Sequence, residues 1–260
     1  MSNSFITNKD KFLSDIINGI LPKTNAVDFL VGYFYYSGYK ELSEQLKDKR
    51  IRILIGLDIE IHITKHICEV ENFRQQLQSR GVLKEEYCAQ FIKAFNDTDF
   101  LDTEEKIGQF KMFYSKILDG SLEIRKTLEP CHSKMYLFAY SDIINEGGEN
   151  PGVLITGSSN LSYQGLKGRL ELNARFNDKI EYDEGKVIFE ELWKDAIVIA
   201  DKDNIDEWNN KVMKHIWFDT LYSPYLMFIR VLIEYFAIPS KENLLTPYDI
   251  TDGRFSNLKY

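Results

Sequence analysis

Cys131-His-Ser-Lys-Met-Tyr-Leu-Phe138, Gly157-Ser-Ser-Asn-Leu-Ser162 and Glu171-Leu-Asn173 are the segments that decide the fold of this 260-residue chain. Side chains alternate along a strand, so a strand from His132 to Tyr140 carries His132 and Lys134 on one face. An imidazole beside a fixed ammonium suits an anionic substrate. Gly157 permits a tight turn as a strand from Val153 to Thr156 ends. Ser158 and Asn160, two apart, can then aim a hydroxyl and an amide at one point. Glu171 follows at the start of a strand from Leu170 to Phe176, where a carboxylate can hold one imidazole nitrogen and fix its tautomer. Together these residues offer a nucleophile, a cation, two neutral donors and an orienting anion.

Working outward, Ala26 to Tyr36 is rich in Val, Phe and Tyr and is followed by Ser37-Gly38. It reads as a buried strand turning into a short helix from Tyr39 to Leu46. Ile51 to Leu57 is a second apolar, β-branched strand, and strand, helix, strand in this order predicts a parallel βαβ unit. Before it, Phe12, Ile16, Ile17 and Ile20 form one stripe of a helix over Asn8 to Ile20, with Thr7 and Asp10 as a capping pair and Pro22 closing it. From Glu69 to Leu118 the pattern is helical. Val70, Phe73 and Leu77 share a face before Gly81, and Ile107, Phe110, Phe113 (or Tyr114) and Ile117 share another before Gly120. Leu122 to Thr127 is a further strand, and Ser141 to Gly152, with Gly147-Gly148 and Pro151, is a loop.

Beyond Asp178 the chain turns helical and acidic, with ten acidic residues against Lys186, Lys194 and Lys202 between Glu181 and Asn210. A solvated helical face explains such a run. The expected architecture is α/β, a mixed sheet with helices on both faces over residues 1–180. A helical extension and linker over 181–260 follows.

Hydrophobic residues make up 44% of the chain and aromatics 13%, enough for a sizeable core. Net charge is −8 and the sequence pI about 5.2. That balance argues against a wholly basic, sequence-blind grip on DNA but leaves room for a local basic cleft. The most apolar stretch, Tyr225 to Ile238, is broken by Arg230 and Glu234 and falls short of the roughly 20 residues that span a bilayer. Cys68, Cys88 and Cys131 have unrelated spacings, and Met1-Ser-Asn-Ser lacks the features of a secretion signal. The expectation is a reducing, cytoplasmic setting without membrane association.

In order and spacing, His132-Ser133-Lys134, Gly157-Ser158-Ser159-Asn160 and Glu171 resemble the His-x-Lys, Gly-Ser-x-Asn and trailing Glu of the phospholipase D superfamily. The resemblance implies that His132 attacks phosphorus and forms a phosphohistidine. Lys134 and Asn160 would bind the non-bridging oxygens. Ser158 would support that pocket and Glu171 would orient His132. It implies chemistry that needs neither metal nor cofactor. Many relatives carry an aspartate five residues after the lysine, where this chain has Ala139, and the Ser141–Gly152 insertion is a second departure. The reaction needs a second histidine. With a single His-x-Lys here, the resemblance implies a homodimer in which a second copy supplies it.

A narrower resemblance concerns Phe29-Leu-Val-Gly-Tyr-Phe-Tyr-Tyr-Ser-Gly38 and Arg50-Ile-Arg-Ile-Leu-Ile-Gly-Leu-Asp58. These are similar to the phospholipase D-like domain at the N-terminus of bacterial superfamily-two helicases of the Swi/Snf type. Leu245-Thr-Pro247 and Phe255-Ser-Asn-Leu-Lys-Tyr260 are similar to the approach to such a motor. DNA cleavage beside a covalently linked helicase is the implied role. A non-catalytic module that dimerises the helicase or engages DNA is the alternative, and a lipid phosphodiesterase comes third. No Gly-x-x-x-x-Gly-Lys-Ser/Thr occurs, so ATP hydrolysis is not expected of this chain. His62, His66 and Cys68 form a weak metal-ligand pattern without a fourth member nearby. Tyr33 to Tyr36 offers aromatic faces to bases, though alternate members of a strand belong in the core. Lys167, Arg169, Arg175 and Lys179 give a local basic excess that suits either a phosphate path or surface ion pairs.

Overall fold

The β-branched segments read from the sequence become the centre of one mixed sheet. A computed structural model describes residues 5–9, 11–59, 80–95, 103–216 and 228. Strand β1 (Phe5–Ile6) is followed by α1 (Leu13–Ile20), β2 (Thr24–Phe34), α2 (Tyr36–Leu46) and β3 (Arg50–Ile59). Helices α3 (Arg80–Phe95) and α4 (Glu104–Leu118) precede β4 (Leu122–Lys126), β5 (Met135–Tyr140), β6 (Gly152–Gly157) and β7 (Asn173–Phe176). Helix α5 (Lys179–Asp195), strand β8 (Ile197–Ala200) and α6 (Ile205–Lys211) complete the described chain. The strand order is β1-β7-β6-β5-β2-β3-β4-β8. β2, β3 and β4 are parallel, as the βαβ pattern requires, and the remaining pairings are antiparallel.

Alternation along each strand divides the core in two. Val27, Phe29 and Val31 of β2, with Tyr136 and Phe138 of β5, pack with Leu42, Phe91, Phe113 and Ile117 from α2, α3 and α4. Leu30, Leu54, Met135, Leu137 and Leu154 face the other way and meet Tyr182, Phe189 and Trp193 of α5. Helices therefore cover both faces. The α4 stripe is the one its periodicity predicts, with Ile107, Phe110, Phe113 and Ile117 buried and the Thr103 hydroxyl accepting from Lys106 N at 3.2 Å. Each such buried side chain contributes about 1.5–3 kcal/mol. Among the described residues no helix is long and apolar enough to cross a membrane.

Several elements depart from the sequence reading. Helix α1 begins at Leu13, not Asn8, and Phe12 stays 41% exposed. Asn8 takes a left-handed backbone (φ 56°), and its Oδ1 accepts from Leu13 N at 2.7 Å, so this asparagine serves the first turn. Helix α2 starts at Tyr36 and α3 runs through Gly81. The chain beyond residue 180 is not helical throughout. Ile197–Ala200, a short β-branched run inside an acidic region, pairs antiparallel with β4 and extends the sheet. The histidine–cysteine pattern at residues 62–68, the stripe Val70, Phe73 and Leu77, and the segments 229–238 and 245–260 lie outside the described residues.

Candidate active site

Strand direction explains why residues far apart in sequence meet. β5 is antiparallel to β2, β6 to β5 and β7 to β6. The C-terminal ends of β2 and β6 and the N-terminal ends of β5 and β7 therefore share one end of the sheet. Gly32 and Tyr33, His132 to Lys134, Gly157 to Asn160 and Glu171 all fall there. His132 and Lys134 lie in the segment leading into β5 rather than in its hydrogen-bonded ladder, and Glu171 likewise precedes β7.

The Lys134 Nζ is 2.8 Å from His132 Nε2 and donates to His132 O at 2.7 Å. An ammonium has donors only, so this contact makes Nε2 the acceptor and leaves the imidazole proton on Nδ1. His132 is exposed while Lys134 is buried. Lys134 O is held by Thr156 Oγ1 at 2.8 Å and Gly157 N at 3.3 Å. Burial, opposed in part by the Glu171 carboxylate, pushes the Lys134 ammonium down to about 8. Partial burial and the Lys134 charge hold His132 below the ordinary imidazole value.

Asn160 reaches the same point from β6. Its Oδ1 accepts from Tyr33 N at 3.1 Å, which turns the amide so that Nδ2 remains as donor. Gly32 lies beneath all three groups. A Cβ there would stand 3.1 Å from His132 Cδ2, 3.4 Å from Asn160 Oδ1 and 3.5 Å from Lys134 Nζ. The Tyr33 ring meets the His132 ring edge-on at 6.1 Å.

The Gly157–Asn160 turn and the Glu171–Asn173 segment are fastened together. Ser158 N donates to Leu172 O and Leu172 N to Ser158 Oγ, each at 3.0 Å. The Asn173 amide, fully buried, donates to Ser159 Oγ at 2.9 Å, and the buried Tyr136 hydroxyl donates to Ser159 O at 2.8 Å. The Ser158 hydroxyl donates its proton to the Glu171 carboxylate. This hydrogen bond ties Ser158 to Glu171. Among the described residues, Glu171 makes its side-chain hydrogen bond to Ser158, and His132 makes its own to Lys134. Gly157 does not serve a turn with unusual backbone angles. It is needed because a Cβ would lie 2.3 Å from Leu172 O.

The sequence departures fall away from this end. Position 139 lies five residues beyond Lys134, about 17 Å along the strand. Ala139 packs against the α5 face of the core. The Ser141–Gly152 insertion joins β5 to β6 at the opposite end of the sheet. It is a hairpin extension, as expected. Lys167 is paired with Glu41 at 2.7 Å, and Arg175 bonds Asn177. Arg169 lines a pocket of about 330 Å³ with Tyr35, Ser37, Tyr163, Asn160 and Glu171. Phe34 and Tyr36 are core, while Tyr33 and Tyr35 are half-buried toward the site.

Sequence reasoning passed over Gly32, Asn173 and Tyr136. Gly32 carried a signal, since an isolated glycine among Val, Leu and Tyr in a strand marks a close approach by another group. Asn173 and Tyr136 carried none that distinguishes them from ordinary strand residues.

No family model and no curated protein matches the chain. Three solved structures similar to it are a phospholipase D family member, Nuc, from Salmonella typhimurium, NucT from Helicobacter pylori, and a phosphatidylserine synthase from Haemophilus influenzae. Nuc is 10% identical over 75% of this chain and 95% of its own, with a TM-score of 0.40. NucT is 10% identical over 75% and 97%, with a TM-score of 0.39. The synthase is 13% identical over 90% of this chain and 44% of its own, with a TM-score of 0.44.

Proposed function

We propose that this chain is a phosphodiesterase-type domain that cleaves nucleic acid, DNA foremost, through a phosphohistidine on His132. The observation that carries this reading is the Lys134 Nζ at 2.8 Å from His132 Nε2, with Asn160 beside both across Gly32. A phosphodiester entering here takes over the Lys134 donors and the Asn160 Nδ2 at its non-bridging oxygens. The Nε2 lone pair is thereby released toward phosphorus. The N–P bond forms as the P–O bond to the leaving nucleotide breaks, and the leaving oxygen takes a proton from a second imidazole. Water then attacks phosphorus, gives its proton to that second imidazole, and the N–P bond breaks to regenerate His132. Glu171, held by Ser158, supplies negative charge to the Lys134–His132 pair.

The second imidazole is His132 of another copy of this chain. Leu170 and Leu172 flank Glu171 and are 76% and 58% exposed, and Phe5 on the edge strand is 67% exposed. These apolar residues border the site, where a second copy bringing its own histidine would cover them. The linked Swi/Snf-type helicase motor is part of the same reading. It is supported by the sequence resemblance given above.

The test is incubation with single- and double-stranded DNA in excess EDTA, with His132→Ala in parallel. Cleavage by the parent that persists in EDTA and disappears in the variant is the expected result. A parent that binds DNA but leaves it intact overturns the enzyme and leaves the non-catalytic module.

A further inference from the structure

Beside the phosphate-binding groups lies the Arg169 pocket, which no step of the chemistry uses. Tyr35, Ser37, Ser162, Tyr163, Gln164 and Arg169 line it together with Asn160 and Glu171. The shared residues matter. Asn160 belongs to both the pocket and the phosphate-binding groups, so the pocket adjoins the place of a phosphodiester held by His132, Lys134 and Asn160.

The lining identifies the arm. Tyr163 is 47% exposed and caps the start of the short π-helical turn Gln164–Gly168, and Tyr35, the residue after β2, lines the same pocket. Ser37 Oγ accepts from Tyr163 N at 3.4 Å, and Ser162 Oγ accepts from Gly165 N at 2.9 Å, which fix the turn. Asn8 Nδ2, donating to Gly165 O at 2.8 Å and Arg169 O at 3.1 Å, fixes it from below. Two phenol rings, two amides, two hydroxyls, a guanidinium and the Glu171 carboxylate around about 330 Å³ offer stacking faces and edge hydrogen bonds. An acyl chain would strand these polar groups without partners. A nucleobase satisfies them.

We propose that this pocket takes the base next to the scissile phosphate, with Tyr163 and Tyr35 as stacking faces and Arg169 on the base edge or the neighbouring phosphate. A base can enter only when it is out of the duplex stack. The substrate class is therefore single-stranded nucleic acid. This inference rests on the phosphodiesterase reading for the position of the phosphate, and its test reads binding rather than cleavage.

Anisotropy of a labelled single-stranded oligonucleotide, and of the same sequence as a duplex, is measured with His132→Ala, which leaves the strand intact, and with Tyr163→Ala, Tyr163→Phe and Arg169→Gln each added to His132→Ala. The single strand binds at least about 10-fold tighter than the duplex. Tyr163→Ala weakens single-strand binding about 5- to 150-fold, the value of one lost base stack. Tyr163→Phe keeps the ring and restores binding, which separates stacking from misfolding. Equal affinity for both forms, or binding with Tyr163→Ala added that equals that of His132→Ala alone, overturns the pocket assignment. So does capture of anionic phosphatidylglycerol vesicles in preference to the oligonucleotide. Loss of binding in Tyr163→Ala with no cleavage by the parent keeps the base pocket and removes the phosphodiesterase. Cleavage with binding insensitive to Tyr163 does the reverse.

Discussion

At the scale of the residue, the site is defined by what each polar atom already holds. Lys134 holds one carbonyl and one imidazole nitrogen, and its burial, opposed only in part by the Glu171 carboxylate, pushes its ammonium down to about 8. His132 must be neutral to attack, and its pKa lies below the ordinary 6.5. The signs follow. The rate of cleavage, as kcat/KM, rises with pH on a limb centred below 6.5 as the attacking His132 deprotonates, and falls at higher pH as the second imidazole loses the proton it gives the leaving oxygen and, past about 8, as Lys134 becomes neutral. A profile still flat at pH 10 removes Lys134 from charge stabilisation. Gly32 gives a second prediction. In Gly32→Ala the new methyl group meets His132 Cδ2 at 3.1 Å, so the ring or the strand shifts by a few tenths of an ångström. Cleavage drops by roughly 10-fold or more, since misplacement of about 1 Å costs on the order of 10²-fold. The melting temperature moves little. The closeness of His132 and Lys134 was legible in sequence from their spacing of two, although both precede β5 and the Lys134 Nζ contacts to His132 Nε2 and O join them. The role of Ser158 was not legible, because only the structure shows its proton given to Glu171.

At the scale of the element, α5 depends on a charged contact inside the sheet face it covers. Arg52 on β3 donates to Asp28 on β2 at 2.6 and 2.9 Å and to Glu190 on α5 at 2.6 and 3.1 Å. Its guanidinium lies over the Phe189 and Trp193 rings at 4.8 and 5.1 Å. Lys186 completes the group through Asp28 and Glu190. Burial pulls the Arg52 pKa down, but its hydrogen bonds to Asp28 and Glu190 more than offset this and hold it above the ordinary value. Asp28 and Arg52 are both buried, so Arg52→Ala leaves a buried carboxylate short of its partner and costs about 3–5 kcal/mol. Chemical denaturation measures this, and a loss under 1 kcal/mol would contradict the account. Glu190, with its pKa lowered to about 2 chiefly by the Arg52 hydrogen bond, adds an acid limb. Its contribution is complete above about 4.5 and is lost as pH falls toward 2. Arg52 and Asp28 stood in sequence as isolated charges within apolar strands. Nothing local said that a helix more than a hundred residues later would meet them.

At the scale of the whole molecule, the described chain ends its sheet on one side with β1 and places that edge beside the site. Leu170 and Leu172 flank Glu171 with exposed apolar side chains, and Phe5, paired with Ala174, is exposed on the same edge. If a second copy completes the site there, Leu170→Glu with Leu172→Glu converts a dimer to a monomer in sedimentation equilibrium. EDTA-resistant cleavage is lost with it, while the circular dichroism spectrum stays that of the parent. A parent protein that sediments as a monomer at micromolar concentration would end the two-histidine scheme.

The sequence by itself determined the parallel β2–β3 core, the helical stripe of α4, and the pairing of His132 with Lys134. These depend on alternation, periodicity and neighbours within a few residues. Only the tertiary structure decided that β8 extends the sheet, that Ala139 lies about 17 Å from the chemistry, and that Asn160 is aimed by Tyr33 N. The reason is physical. A four-residue strand has too little periodicity to announce its partner, and a hydrogen bond across 127 residues leaves no local trace. Strand direction brought the pieces of the site to one end of the sheet, and direction is a property of the assembled sheet rather than of any segment in it.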